Sequence, residues 1–309
     1  MENLLIAEHV TKSYGDHIAL NDFSISIPKQ SIFGLLGPNG AGKTTFLRIL
    51  NQISIPNSGS IYLEGEKLSP SHIAQIGYLP EERGLYKSMK VGEQATYLAR
   101  LKGLSKQEAQ TRLKTWFSKF GIEDWWNKKI EELSKGMAQK VQFIVTVMHQ
   151  PKLLIFDEPF TGFDPVNANL IGKEILNLRD QGATVLFSTH RMESVEEMCD
   201  HIALINKSHK ILDGEITAIK RQYKSNTYQV GIVSPDNRRL EEELMEKFDI
   251  SPSNFKSIHA DELRLNIKIP ENDTPNDLIS FLNQRGQLHH FMEVIPSIND
   301  IFIKTVTHE

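Results

Sequence analysis

Cysteine is nearly absent: Cys199 is alone among 309 residues, so no internal disulfide framework can form and a reducing cytoplasm is the expected compartment. A basic excess is also missing. Lys and Arg number 35 against 39 Asp and Glu, a net charge of -4, which gives no reason to expect a nucleic-acid partner. No apolar run approaches the ~20 residues needed to span a bilayer, so any membrane role is expected to pass through a partner. The opening segment "MENLLIAEHVTKSYG" has neither a basic start nor a long apolar stretch, which argues against a secretory signal. Internal repeats and low-complexity segments are not seen. What remains is ordinary globular composition, 39% hydrophobic and 24% charged, in a chain long enough for two domains.

Periodicity divides the chain. "LLIAEHV" and "FSISIP" alternate as strands, and "SIFGLLG" (31–37) is a continuously apolar run suited to a buried strand. A helix follows at about 43–51, then a turn at "PNSGS" and a strand at "SIYLEG". From about 88 to 150 the apolar spacing becomes helical, after which strands and helices alternate again from "KLLIFDEP" to "HIALINKS". Such alternation predicts an α/β fold with a mainly parallel sheet, the helical block being an insertion into it. A polar stretch at "RQYKSNT" precedes a second strand-helix pattern. We therefore expect one domain over 1–221 and a small α+β domain over 222–309.

"GPNGAGKTT" (37–45) lies between an expected buried strand and a helix and satisfies Gly-x4-Gly-Lys-Thr. Its glycines let the backbone curl so that N–H groups converge, and the new helix adds its positive end. Together they form a cradle for polyphosphate. The nucleotide-binding residues expected are Gly37, Pro38, Asn39, Gly40, Ala41, Gly42, Lys43, Thr44 and Thr45. Lys43 would reach the β- and γ-phosphates, and the Thr44 hydroxyl would hold Mg²⁺. "LLIFDEP" (153–159) ends an apolar strand in two acids at the sheet's carboxyl edge. Asp157 is the expected Mg²⁺ ligand. Glu158, expected to point to the opposite side by strand alternation, is the candidate general base.

With these motifs the chain resembles the ATP-binding subunits of ABC transporters over about residues 4–215, a P-loop NTPase core with an antiparallel β subdomain. "LSKGM" (133–137) falls where that family carries its signature segment. The resemblance implies a head-to-tail dimer of two copies around two ATP molecules, with Ser134 and the Gly136 backbone of one copy meeting the other's γ-phosphate. It places Tyr14 as an adenine-stacking ring, "TGFDP" (161–165) as the D-loop with Asp164 at the dimer seam, and His190 as the switch histidine. Catalytic roles thus fall to Lys43, Glu158 and His190.

Two segments depart from the family pattern. Glu81 in "GYLPEERGLY" (77–86) stands where the family has glutamine, as a further candidate for Mg²⁺ or water. Lys135 and Met137 replace a glycine and a glutamine in the signature. These segments and the ending "PSINDIFIKTV" resemble the ABC-2-type exporter subgroup. The implied partner is an integral-membrane permease docking near Glu81–Tyr86, with this chain peripheral on the cytoplasmic face of the membrane. A soluble, non-transport ABC ATPase is the alternative. Trp116, Trp125 and Trp126 read as packing residues, and His289-His290 as a solvated pair on a strand.

Overall fold

The computed structural model describes residues 2–81, 84–190, 192–270 and 272–307. The chain divides into two compact units, the first running through Ile216 and the second Thr217–Lys304.

In the first unit, β1 (Asn3–Tyr14) and β2 (His17–Pro28) form a long hairpin. After β3 (Ile32–Leu36) and α1 (Lys43–Leu50), the strands β4 (Ser58–Leu63) and β5 (Glu66–Lys67) complete an antiparallel sheet of order β2-β1-β4-β5. Next come β6 (Ile76–Leu79) and the helices α2 (Val91–Leu101), α3 (Lys106–Phe120) and α4 (Lys135–Val147). The unit continues through β7 (Leu153–Asp157), α5 (Pro165–Asp180), β8 (Thr184–Thr189), α6 (Met192–Met198), β9 (His201–Asn206) and β10 (His209–Glu215). Its second sheet has the order β10-β9-β3-β8-β7-β6. All of its neighbours run parallel except β10, which pairs antiparallel with β9. Every residue of β3, β7 and β8 is buried, as expected for parallel strands covered on both faces.

The first core joins both sheets to α1: Val10, Phe23, Ile27, Leu35, Phe46, Leu50, Ile155 and Ile205 belong to one apolar cluster. The expected insertion is present as α2, α3 and α4. Trp116 packs against Phe120 and Phe143, and Trp126 against Phe117, so these indoles serve the core. β6 was not expected. At four residues it is too short to show a period, and its pairing with β7 makes it a strand.

α7 (Ile216–Gln222) leads to the second unit, with β11 (Thr227–Val233), α8 (Asn237–Met245), β12 (Asp249–Pro252), β13 (Leu263–Lys268), α9 (Pro275–Asn283), β14 (Gln287–Glu293) and α10 (Ile298–Thr307). The sheet order β12-β13-β11-β14 is that of a split βαβ arrangement. Tyr228, Val230 and Ile232 of β11 share a core with Leu240 and Leu244 of α8 and with Leu278 and Leu282 of α9. β12 is an addition to the expected pattern. In β14, His289 stacks on His259 while remaining exposed, as expected of it, and the half-buried His290 stacks on Phe255.

The helical insertion is pinned to the start of β6. Lys102, just after α2, donates to the carbonyls of Ile73 (2.8 Å) and Ile76 (2.7 Å). His149, just after α4, lies with Nε2 3.4 Å from the same Ile76 carbonyl. Burial, with the Lys102 charge nearby, pushes the His149 pKa down from 6.5 to about 4. The unfolded chain therefore takes up a proton near pH 6.5 that the folded chain refuses until about 4, and stability falls as pH drops through that window. This one group contributes a loss of up to about 3 kcal/mol. Urea unfolding of His149→Gln should show a shallower loss of stability than the wild type between those pH values. Parallel curves would rule out His149 as the source.

Candidate active site

Parallel pairing sets the site. Leu36 of β3 lies opposite Thr189 of β8, and Asp157 of β7 lies opposite Ser188 of β8. Three neighbouring strands thus finish in line at their carboxyl ends, where open α/β sheets bind ligands. The residues after each strand line one cleft of about 370 Å³, in the range of small-molecule sites. Its walls include Tyr14, Asn39, Gly40, Gly42, Lys43, Thr44, Thr45, Glu81, Asp157, Glu158 and His190.

The loop after β3 is shaped by glycines. Gly42 has φ +118, and a Cβ there would come 2.4 Å from the Ala19 carbonyl. Gly40, at φ +80, faces open space. α1 starts at Lys43 with neither a side-chain cap nor an acidic residue in its first turn, which leaves its positive end suited to an anion. Lys43 is buried, and its Nζ donates to the loop's own carbonyls at Gly37 (2.7 Å) and Pro38 (3.1 Å). Burial lowers its pKa, opposed by the charges of Glu158, Asp157 and Glu81. Pro38 and Ala41 shape the turn from behind: the Ala41 N–H donates to the Pro38 carbonyl at 3.2 Å.

Asp157 is buried, which raises its pKa. Hydrogen bonds from Ser188 and Thr44 act in the opposite direction. Glu158 does not follow the strand alternation expected of it. β7 ends at Asp157, and Glu158 adopts φ +51, so the backbone turns and both carboxylates line the same cleft. Its N–H donates to the Ser188 carbonyl at 3.1 Å. Its Oε1 accepts from the His190 N–H at 3.0 Å and lies 2.7 Å from His190 Nδ1, while Oε2 accepts from the Thr189 hydroxyl at 3.2 Å. The Glu158 side chain is only 9% exposed, whereas His190 is 53% exposed. Ser188 and Thr189, which directly precede His190, were not among the expected site residues; only the register with Asp157 gives them a role.

Tyr14 stands at the mouth, 48% exposed. Its hydroxyl is 3.3 Å from Ser54 Oγ, and Lys12 Nζ lies 5.0 Å from its ring centre. Glu81 reaches the cleft wall, whereas Glu82 and Arg83 of the expected docking stretch lie outside the described residues. Ser134 and Gly136 do not line this cleft. Ser134 is the exposed N-cap of α4 and accepts from the Met137 N–H at 3.3 Å.

Among the described residues no three His, Cys, Asp or Glu are grouped to hold a metal ion. The Thr44 hydroxyl and Asp157 carboxylate are within hydrogen-bonding reach of each other. This all-oxygen pair, with Glu81 nearby, fits a hard cation whose shell is completed by phosphate oxygens and water.

The chain matches the ABC transporter family over residues 20–161 and the C-terminal domain of DrrA1-3-like ATP-binding proteins over 214–306. It is 43% identical over 303 residues to the uncharacterized ABC transporter ATP-binding protein YhaQ of Bacillus subtilis, covering 98% of each chain. It is 34% identical to the Nod factor export ATP-binding protein I of Cupriavidus metallidurans, over 70% of this chain and 72% of that one. Among solved structures, an ATP-binding subunit of an ABC transporter matches with a TM-score of 0.67 and 29% identity, over 71% of this chain and 93% of that one.

Gly40 and Gly42 should respond differently to alanine. Gly40→Ala carries only left-handed strain, about 1–2 kcal/mol. Gly42→Ala adds a backbone collision and should cost several kcal/mol. Thermal unfolding of the two variants measures the difference. Equal shifts would show that the loop relaxes freely around Gly42.

Proposed function

Because the chain belongs to the ATP-binding proteins of ABC transporters, we propose that it is the ATP-hydrolysing subunit of an ABC-2-type exporter, working as a dimer beneath a separate membrane permease. The observation that carries the catalytic part is the convergence of Lys43, Asp157, Glu158 and His190 on one cleft beside the glycine loop. The export assignment rests on the DrrA-like C-terminal match and on a relative named for export. Among the described residues no helix is long and apolar enough to cross a membrane.

Tyr14 offers its ring to the adenine base, backed by the Lys12 ammonium. The loop N–H groups and the first turn of α1 hold the phosphates, and Lys43 exchanges its loop carbonyls for phosphate oxygens. Thr44 and Asp157 would hold Mg²⁺, with Glu81 within reach of it or of its water. When bound, the ion supplies charge stabilisation on the β- and γ-phosphates. Glu158 takes the proton of the attacking water as the new P–O bond forms and the bond to the ADP oxygen breaks. His190 and Thr189 hold that carboxylate in place. The family resemblance directs Ser134 and Gly136 to the second copy's γ-phosphate; in their own chain they do not line the cleft.

Glu158→Gln should lower kcat at least about 100-fold, the usual contribution of a general base, while keeping ATP binding. The same variant should form a dimer with Mg-ATP, seen by size exclusion with light scattering. Wild-type-like turnover in Glu158→Gln would remove Glu158 as the base, and a monomer under saturating Mg-ATP would remove the sandwich dimer. Reconstitution with the permease separates export from a soluble role: ATP turnover unaffected by the permease would favour the latter.

A further inference from the structure

Lys135 occupies a place that its position in the signature does not announce. It starts α4, and Gln139 lies one turn further on the same helix face. Both side chains converge on the loop after β7. Gly162 there has φ +87, and a Cβ built on it would meet Lys135 Cε at 2.5 Å, Lys135 Nζ at 3.0 Å and Gln139 Nε2 at 3.1 Å. The Gln139 amide donates to the neighbouring Thr161 carbonyl. So the Lys135 stem fills the space left by the missing glycine side chain, and Gln139 ties down the adjoining peptide.

The rest of that loop is tied at both ends. The Thr161 N–H donates to the Glu158 carbonyl at 3.1 Å, closing a turn that begins at Glu158. Asp164 caps α5 by accepting from the N–H groups of Val166 and Asn167, both at 3.0 Å. A continuous mechanical path therefore runs from Ser134 and Gly136, through Lys135 and Gln139, to Thr161 and on to Glu158. It joins the segment proposed to face the partner's ATP to the carboxylate proposed to act on the chain's own.

We propose that Lys135 is a positioning residue that fastens the Thr161–Asp164 loop to the first turn of α4, so that the signature segment and Glu158 hold one relative placement. This rests on the dimeric reading above. The apolar stem performs the role, because Cε comes closer to the Gly162 Cβ position than Nζ does, 2.5 Å against 3.0 Å.

The test uses the full chain carrying Glu158→Gln, with Lys135→Ala or Lys135→Met added. Light scattering gives the ATP concentration for half-maximal dimer, and a fluorescent ATP analogue gives the affinity of the monomer. Lys135→Ala should raise the dimerisation midpoint about threefold or more, the size expected for loss of a contact between coupled groups. Lys135→Met keeps the stem and should restore the midpoint, and monomer affinity should be unchanged in both. A normal midpoint in Lys135→Ala overturns the proposal. So does a Lys135→Met midpoint as poor as that of Lys135→Ala, which would assign the role to the charge. If the Glu158→Gln parent stays monomeric, the dimer reading fails by itself, and a thermal-unfolding cycle still tests the fastening. Gly162→Ala should then lower Tm less in the Lys135→Ala chain than alone, and equal drops overturn the contact.

Discussion

The register of β3, β8 and β7 is the constraint from which the site follows. Parallel strands of one sheet share a direction, so their carboxyl ends lie along one edge. Here the pairs Leu36–Thr189 and Asp157–Ser188 bring the glycine loop, the two acids and His190 into one cleft, although more than a hundred residues separate the loop from Asp157. A slip of one residue would turn every side chain of β7 to the other face of the sheet. The burial of all three strands makes that slip prohibitive, since it would disrupt the packing of both layers. Core packing thus sets the geometry of the cleft, although the core residues of these strands do not line it.

The cleft is also where the structure gives up stability. Burial disfavours the charge on both Lys43 and Asp157, and Glu158 sits in a left-handed backbone conformation worth about 1–2 kcal/mol of strain for an L-residue. Such local costs are concentrated at functional sites and are offset elsewhere. The offset is local at Glu158: its N–H and both carboxylate oxygens are engaged by the end of β8. Asp157 is similarly held by Ser188 and Thr44. These contacts fix the carboxylates in place, which would limit reorganisation in the proposed reaction.

How much of this was legible in the sequence depended on range. The glycine loop, the acids at the end of β7 and the Ser134 cap are local patterns, each legible in a short segment of sequence. The parallel sheet, the helical insertion and the trailing α+β unit follow from long periodic segments. β6 and β12, at four residues each, carry too little pattern to be seen and exist through their pairing with β7 and β13. Glu158 was given the wrong direction because alternation holds only inside a strand, and the strand stops one residue earlier. Ser188 and Thr189 have no motif of their own. Their roles are set by which strand lies beside them, a fact no single segment contains.

The same difference in range explains why the helical insertion was legible as helices but not as a part joined to the core. Helices show their apolar faces in sequence, but nothing in "RLKGL" announces that Lys102 will donate to two carbonyls at the head of β6. That strand is attached to the insertion at Ile76 and leads at its other end toward Glu81 on the cleft wall. Its parallel bonds to β7 hold it against the strand that carries Asp157. A displacement of the insertion would therefore be felt at β6 and at β7, where Phe156 stacks on Phe143 of α4. The short length that hid β6 in the sequence also leaves it few bonds with which to resist. β6 is a four-residue edge strand, bonded to β7 alone within the sheet, and it leads into the site.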